Sequence, residues 1–413
     1  MPVIDGARRE LTAAQLGIWY AHQLGSDEPV YNMGEYLDIR GDLDVAAFEA
    51  ALRQVMHEAE TARLRFAVED GQPRQYVAAS GDWTLHVSDL RDASDQVAAA
   101  VDQMWADMRR PVDLLATPLF AHALYQVGPD RFLWYQRGHH IAVDAFSGAI
   151  VAARVAQVYS ALLAGQPAAD GALEPLAVLL DADARYRSSP SWRRDQDFWH
   201  ATLDGVPDAV SASGHRVRAA RRFAVRHAED LDPVAAARLR SAAGRLKTSV
   251  TGLMVTAAAA FAHRCTGAED VVLGLPVLGR TGRRQRAIPG MTANVLPVRL
   301  AVSGEQSAAQ LARQVNGTVR AAFQHQRYRY EDILRDRKLV DGAALFGLVV
   351  NVMPFDYALR FGTCVATAHS LAGGPVGDMR ISVYDGAADG GIELALDMNR
   401  DLYGDDAGAH LAH

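Results

Sequence analysis

The pattern of apolar and polar positions predicts a chain of interleaved helices and strands. Thr12 suits a helix N-cap, and AAQLGIWYAHQL after it places Ile18, Ala21 and Leu24 near helical spacing. A second helix is predicted from Asp44 to about His57. RLRFAVEDGQPRQYV reads as a hairpin turning at Asp70-Gly71. PLFAHALYQVGPDRFLWYQRGHH reads as two strands around Gly128-Pro129-Asp130, the second ending at His139-His140. After a short loop comes a helix from about Ser147 to Leu163, with Val151, Val155, Val158 and Leu162 at spacings of four, three and four. This is a strand–loop–helix unit whose polar chemistry is concentrated in the loop.

Residues 164–178, AGQPAADGALEPLAV, form a Gly/Ala/Pro-rich stretch. They divide the chain into an N-terminal part, 1–178, and a C-terminal part, 179–413. The second part has predicted helices near 180–204, 232–245, 250–266 and 306–325. Its strand-like segments lie at 221–227, 269–275, 346–353, 378–385 and 391–398. Both halves therefore read as α/β, and no repeat recurs at a fixed period.

A length of 413 residues sets a prior of two or three domains. Hydrophobic residues make up 49% and charged residues 22%, which excludes a disordered or coiled-coil chain. The net charge of −7 argues against a nucleic-acid partner. Two cysteines, Cys265 and Cys364, are too few for a disulfide framework or a Cys-rich metal site, and they fit a reducing cytoplasm. MPVIDGARRELT lacks an apolar signal-peptide core, and no apolar run reaches a membrane span. The expectation is a cytoplasmic α/β enzyme with no membrane and no metal.

The densest chemistry is HHIAVDAFS, from His139 to Ser147. Adjacent strand residues point to opposite faces, so His139 and His140 cannot both face the core. A histidine at a strand end can reach a cleft and handle protons near neutral pH. Asp144 lies where the loop enters the helix, able to orient a histidine, cap the helix or pair with an arginine. Taken alone, HxxxD favours a plain strand-end pair with an N-cap. There is no HExxH, GxSxG or GxxxxGK[ST], so zinc hydrolase, serine hydrolase and P-loop chemistry lose their main support.

Further segments change that weighting. TAAQLGIW carries Gln15 and Trp19, and EAETARLRF carries Glu60, Arg63 and Phe66. GRTGRRQRAIPGMTANVLPVRL carries Arg280, Gly290, Asn294 and Pro297. HQRYRYE runs from His325 to Glu331, and NVMPFD begins at Asn351. In this order, together with HHIAVDAFS, they resemble the motifs of nonribosomal peptide synthetase condensation domains, in the chloramphenicol acetyltransferase-like superfamily. TAAQLGIW, EAETARLRF and HHIAVDAFS look most like the enterobactin-type subgroup. Two departures stand out: Ala145 replaces the motif glycine, and Gly17 replaces a frequent arginine.

The resemblance implies two acetyltransferase-like lobes in a V, with an active-site tunnel between them. It implies amide-bond formation by attack of a downstream aminoacyl amine on an upstream acyl thioester. Both substrates would ride on phosphopantetheine arms of donor and acceptor carrier proteins, beside an adenylation domain, in siderophore or antibiotic synthesis. No cofactor would be bound by the domain itself. His140 would be catalytic and His139 scaffold. Asp144 would be structural, in a salt bridge with Arg63 or Arg280. Ser147 and Asn351 would be candidates to contact substrate. The basic tract GRTGRRQR, and Arg216, Arg218, Arg221 and Arg222, read as solvated loops, with carrier or phosphate contact as the alternative. Three alternatives stay open: an epimerisation domain of the same family, a stand-alone coenzyme A-dependent acyltransferase, and an inactive recruitment platform. Heterocyclisation is disfavoured, because that branch carries Asp in place of the first motif histidine.

Overall fold

The computed structural model describes residues 8–79, 83–168, 173–209, 211–217, 220–339, 344–353, 359–385 and 390–404. In chain order the elements begin β1 (Arg9–Glu10), α1 (Ala13–Gln23), β2 (Asn32–Arg40), α2 (Val45–Glu58), β3 (Leu64–Glu69), β4 (Gln72–Val77) and β5 (His86–Asp89). They continue α3 (Gln96–Met108), β6 (Phe120–Gly128), β7 (Arg131–His139), α4 (Ala145–Leu163), α5 (Ala177–Arg187) and α6 (Pro190–Thr202). Then come β8 (Val225–Leu231), α7 (Pro233–Arg245), α8 (Val250–Thr266), β9 (Asp270–Val277), β10 (Asn294–Ala301), α9 (Ala308–Gln324) and α10 (Tyr330–Asp336). The chain closes with β11 (Leu348–Met353), β12 (Leu359–Phe361), β13 (Cys364–Gly373), β14 (Met379–Tyr384), β15 (Ile392–Met398) and α11 (Arg400–Tyr403).

The chain divides into two compact units. The first comprises Met1–Ala184, Arg280–Thr292 and Tyr357–Gly374, and the second comprises the segments between and after them. This corrects the contiguous division at residue 178. The first break falls within α5, and two later stretches return to the first unit. The physical reason is pairing and burial: β13 is hydrogen-bonded to β2, and Ile288 is buried among Leu11, Ile18, Leu64 and Leu179.

The first unit is built on a six-stranded sheet in the order β12-β13-β2-β7-β6-β5. Strand β7 is central, pairing antiparallel with β2 and β6. Residues Phe132 to Arg137 are all buried, because helices cover both faces and an inward-outward alternation is lost. On one face α2 and α4 supply Phe48, Leu52, Val155 and Tyr159 against Leu37 and Trp134. On the other, α3 is fixed by Asp107, which accepts from Tyr135 Oη at 3.0 Å and Arg137 Nε at 2.7 Å. The β3–β4 hairpin turns at Asp70 and Gly71, both at positive φ (50° and 74°), as the Asp-Gly pair predicts. The second unit has its own six-stranded mixed sheet, β10-β9-β11-β14-β15-β8, with a core of Val255, Ala259, Leu273, Val298, Val315 and Val350.

His122 on β6 is an unusual core residue. Its ring lies 5.9 Å from Trp83 and 6.1 Å from Trp134, and neither ring nitrogen has a hydrogen-bond partner among the described residues. Burial, reinforced by the charge of Arg137, pushes its pKa down to about 4 from 6.5. The unfolded chain therefore binds this proton more readily, so folding is fully supported above pH 6.5 and weakens as pH falls toward 4. The loss amounts to about 3 kcal/mol for this residue. Burial acts in the same direction on His139 and His22, so one substitution removes only part of the slope. Urea unfolding from pH 7 to 4 should show a flatter dependence for His122→Phe than for wild type. Superimposable slopes would remove His122 as a source of acid lability.

Candidate active site

Strand β7 ends by handing one histidine to the core and the next to the loop. His139 N–H donates to Leu119 O (2.8 Å), while His140 N–H donates to Tyr31 O (2.8 Å). The His139 ring is buried, with His22 edge-on at 5.3 Å and Tyr31 at 6.1 Å. Its Nδ1 accepts from Ile141 N–H at 3.2 Å, which places the ring proton on Nε2. Burial holds its pKa well below the usual value, and the neighbouring His22 and His140 add to this. His139 is thus a neutral packing residue, whereas His140 is only partly buried.

Asp144 is the N-cap of α4 and the centre of a buried network. Its Oδ1 accepts from Ser147 N–H at 3.1 Å and lies 2.8 Å from Ser147 Oγ. Its Oδ2 accepts from Arg280 Nη1 at 2.7 Å, Thr292 N–H at 3.1 Å and Thr292 Oγ1 at 3.2 Å. The Arg280 side chain is 0% exposed and that of Asp144 is 3% exposed, so neither charge is shared with water. Burial alone would raise the Asp144 pKa, but the charge and hydrogen bonds of Arg280 outweigh it and hold the carboxyl below its ordinary value. Arg280 Nη2 also donates to Gly290 O (2.8 Å) and Ile288 O (3.2 Å), and its guanidinium lies 5.2 Å from the Phe146 ring centre. The pair therefore ties the β7–α4 loop to the 280–292 segment.

The expected partners of Asp144 are now separated. Arg280 makes the salt bridge. Arg63 does not: its Nη1 donates to Ala78 O at 2.8 Å, so it braces the end of the β3–β4 hairpin. Ser147 is buried and committed, its Oγ accepting from Gly290 N–H at 2.9 Å and lying 3.0 Å from Gly290 O. That leaves it no geometry for substrate contact or nucleophilic attack. Asn351 sits in β11 of the second unit, in register with Ser382 of β14. The rest of its motif, Pro354 to Asp356, lies outside the described residues, as does Arg218.

The remaining motif residues are mostly structural. Gln15 caps α1 together with Thr12 and exchanges two side-chain hydrogen bonds with Gln75 (2.9 and 2.8 Å). Trp19 packs on Phe66 at 5.9 Å. Asn294 donates to Gln326 O and Tyr328 O and accepts from Tyr330 N–H, clamping HQRYRYE onto β10. Ala145 is the first residue of α4 and has no positive φ, so the missing motif glycine costs no backbone strain. Within the basic tract, Arg280 is the buried clamp, and Arg284 pairs with Glu174 at 2.7 Å. The contributions of Thr292, whose N–H and hydroxyl donate to Asp144, and of the Ile288 carbonyl, which accepts from Arg280, escape sequence reading, because backbone groups leave no residue-type signal and a lone threonine leaves a weak one. Among the described residues no cluster of His, Cys, Asp and Glu could hold a metal.

Two α/β units, each built on a six-stranded sheet, make up the condensation-domain fold. Residues 8–406 match the condensation-domain family, and the chain belongs to it. The starter condensation domain of rhizomide synthetase, solved as a mutant in complex with C8-CoA and Leu-SNAC, superposes with a TM-score of 0.91. It is 37% identical, with 98% of this chain and 92% of that chain covered. The first condensation domain of the calcium-dependent antibiotic synthetase also gives 0.91, at 31% identity over 98% and 94%. Among curated relatives, a dimodular nonribosomal peptide synthase of Bacillus subtilis (strain 168) is 41% identical over 98% of this chain and 17% of its own length. An isonitrile lipopeptide synthase of Streptomyces coeruleorubidus is 42% identical over 96% and 27%. The chain thus spans under a third of the length of these synthases. It is a condensation domain of the nonribosomal peptide synthetase type, the class that forms amide bonds.

Proposed function

We propose that this domain joins an upstream acyl thioester to the amine of a downstream aminoacyl thioester, each presented on the phosphopantetheine arm of a carrier protein. The observation that carries the reading is His140, placed beyond the end of β7 on a loop that Asp144 and Arg280 immobilise. The amine nitrogen attacks the thioester carbonyl, the C–N bond forms, the C–S bond breaks and the arm leaves as a thiol. An α-amine with a pKa near ~8 has a usable neutral fraction at physiological pH, so His140 needs only to orient it and take the proton released on attack. Asp144 keeps the loop in place and takes no part in proton transfer.

The donor we propose is a carboxylic acyl group that starts a chain. The likeness to a starter domain solved with C8-CoA supports it, as does the likeness to a lipopeptide synthase. The enterobactin-type subgroup is the narrower form of the same reading. It is supported by 30% identity to enterobactin synthase component F of Escherichia coli (strain K12) over 94% of this chain, lower than the identities above. The setting we infer is cytoplasmic, with an adenylation domain and carriers as neighbours.

Side-by-side product assays by mass spectrometry test this proposal. Acyl and aminoacyl groups loaded on carrier proteins should give amide far faster than acyl-coenzyme A plus free amino acid. Coenzyme A contains the same pantetheine arm, so the decisive arm of the assay is the acceptor, which must be a thioester. Comparable rates with the free amino acid would replace the reading with a stand-alone acyltransferase.

A further inference from the structure

Gly374 is the last residue of the first unit before the chain passes to the second, directly after β13. Its φ is +90°, a conformation that side-chain-bearing residues rarely adopt. A Cβ placed there would fall 2.8 Å from Cδ2 and 3.3 Å from Nε2 of His140. The first of these distances is shorter than real Cβ contacts, so a side chain at 374 must displace either the main chain or the imidazole. The main chain is held on the side of β13. Gly373 is in register with Met33 in the β13–β2 ladder. The residue before Gly374 is thus fixed by strand pairing, whereas an imidazole can turn about its side-chain torsions, so the ring is the part that gives.

We propose that Gly374 is a positioning residue for condensation, its bare main chain setting where the Cδ2–Nε2 edge of His140 lies. The inference rests on the reading of His140 as the group that meets the amine. Gly374→Ala imposes two burdens, backbone strain and the clash with the ring, and Gly390 separates them. Gly390 has φ +83° and open space where its Cβ would be, so Gly390→Ala carries the strain alone.

With carrier-loaded substrates, Gly374→Ala should lower kcat by about 10- to 100-fold with little change in acceptor KM. Gly390→Ala should keep wild-type turnover and lower the melting temperature comparably. Gly374→Asn suits a positive φ better yet still carries a Cβ, and it should lose kcat to the same degree even if the alanine variant folds poorly. The His140 ring resonances, assigned by their loss in His140→Ala, should move in Gly374→Ala and stay put in Gly390→Ala. In a His140→Ala background, adding Gly374→Ala should cost nothing further, because the ring it displaces is gone. Wild-type kcat in both Gly374 variants would overturn the inference while leaving the role of His140 standing. A loss that persists without the His140 ring would overturn it too. Full turnover by His140→Ala alone would instead bring down the reading of the site, and this inference with it.

Discussion

His140→Ala should reduce condensation by about 10²- to 10⁴-fold while the protein still folds. The size of the loss follows from what the histidine has to do. A usable fraction of the amine is already neutral at working pH, so the ring is not needed to create a nucleophile. In the proposed reading it accepts the proton of the ammonium that forms on attack and holds the nitrogen on line. The fold should tolerate the change because His140 lies beyond the last paired residue of β7. Its backbone N–H bond to Tyr31 O does not involve the ring. The contrast is His139→Ala, which empties a buried site packed on His22 and Tyr31 and should lower the melting temperature more. The measurement is single-turnover product formation with pre-loaded carriers, paired with thermal unfolding of both variants. Undiminished turnover by folded His140→Ala would remove the ring from the chemistry and leave positioning by the rest of the site as the source of rate.

Much of this site was legible before the fold was known, and the parts that were not share a physical cause. Helices α1, α2, α4 and α8 were readable because their caps and apolar spacing agree: Thr12, Asp44, Asp144 and Ser249 each accept a hydrogen bond from the first turn. The β3–β4 hairpin was readable because Asp-Gly demands positive φ. Strand β2 escaped, because NMGEYLDIR, central between β13 and β7, carries the partly buried Glu35 and the buried Asp38 and so shows no clean apolar alternation. Asp38 is buried by virtue of Arg131, which donates to it at 3.0 and 2.8 Å. No local pattern announces a partner 93 residues away. The same limit applies to Asp144: its role as a cap is local and was visible, while the choice of Arg280 over Arg63 depends on how two distant segments meet. The predicted single helix over 180–204 is two, α5 and α6, broken before Pro190 where the ring allows a helix to start but not to continue. The strand predicted at 221–227 begins four residues later, because pairing with β15, from Met398↔Val225 to Ile392↔Leu231, sets its ends.

The buried Asp144–Arg280 pair should be the most costly polar interaction to break. Asp144→Ala removes the cap of α4, the acceptor for Thr292 N–H and the carboxylate paired with a guanidinium that is 0% exposed. An unpaired buried charge of this kind costs about 3–5 kcal/mol, most of it from the stranded arginine and not from the lost attraction. Arg280→Ala strands the carboxylate instead, but Asp144 can take up a proton, so the loss should be smaller at low pH. Removing both residues should therefore cost less than the sum of the single changes. The pH dependence follows from the depressed Asp144 pKa. A carboxyl held below its ordinary value of 3.8 contributes stability above that pH and loses it as pH falls further. That window lies below the one in which His122 acts, between pH 6.5 and about 4, so the two can be read from one titration. Denaturant unfolding of wild type, both single variants and the double variant from pH 7 down to about 2 gives all four curves. Activity should fall with stability in Asp144→Ala and recover in part on cooling, since the loop is displaced and not chemically disabled. If Asp144→Ala instead melts like wild type and is inactive at every temperature, the carboxylate acts on substrate or on His140 directly, and its role in holding the loop is refuted.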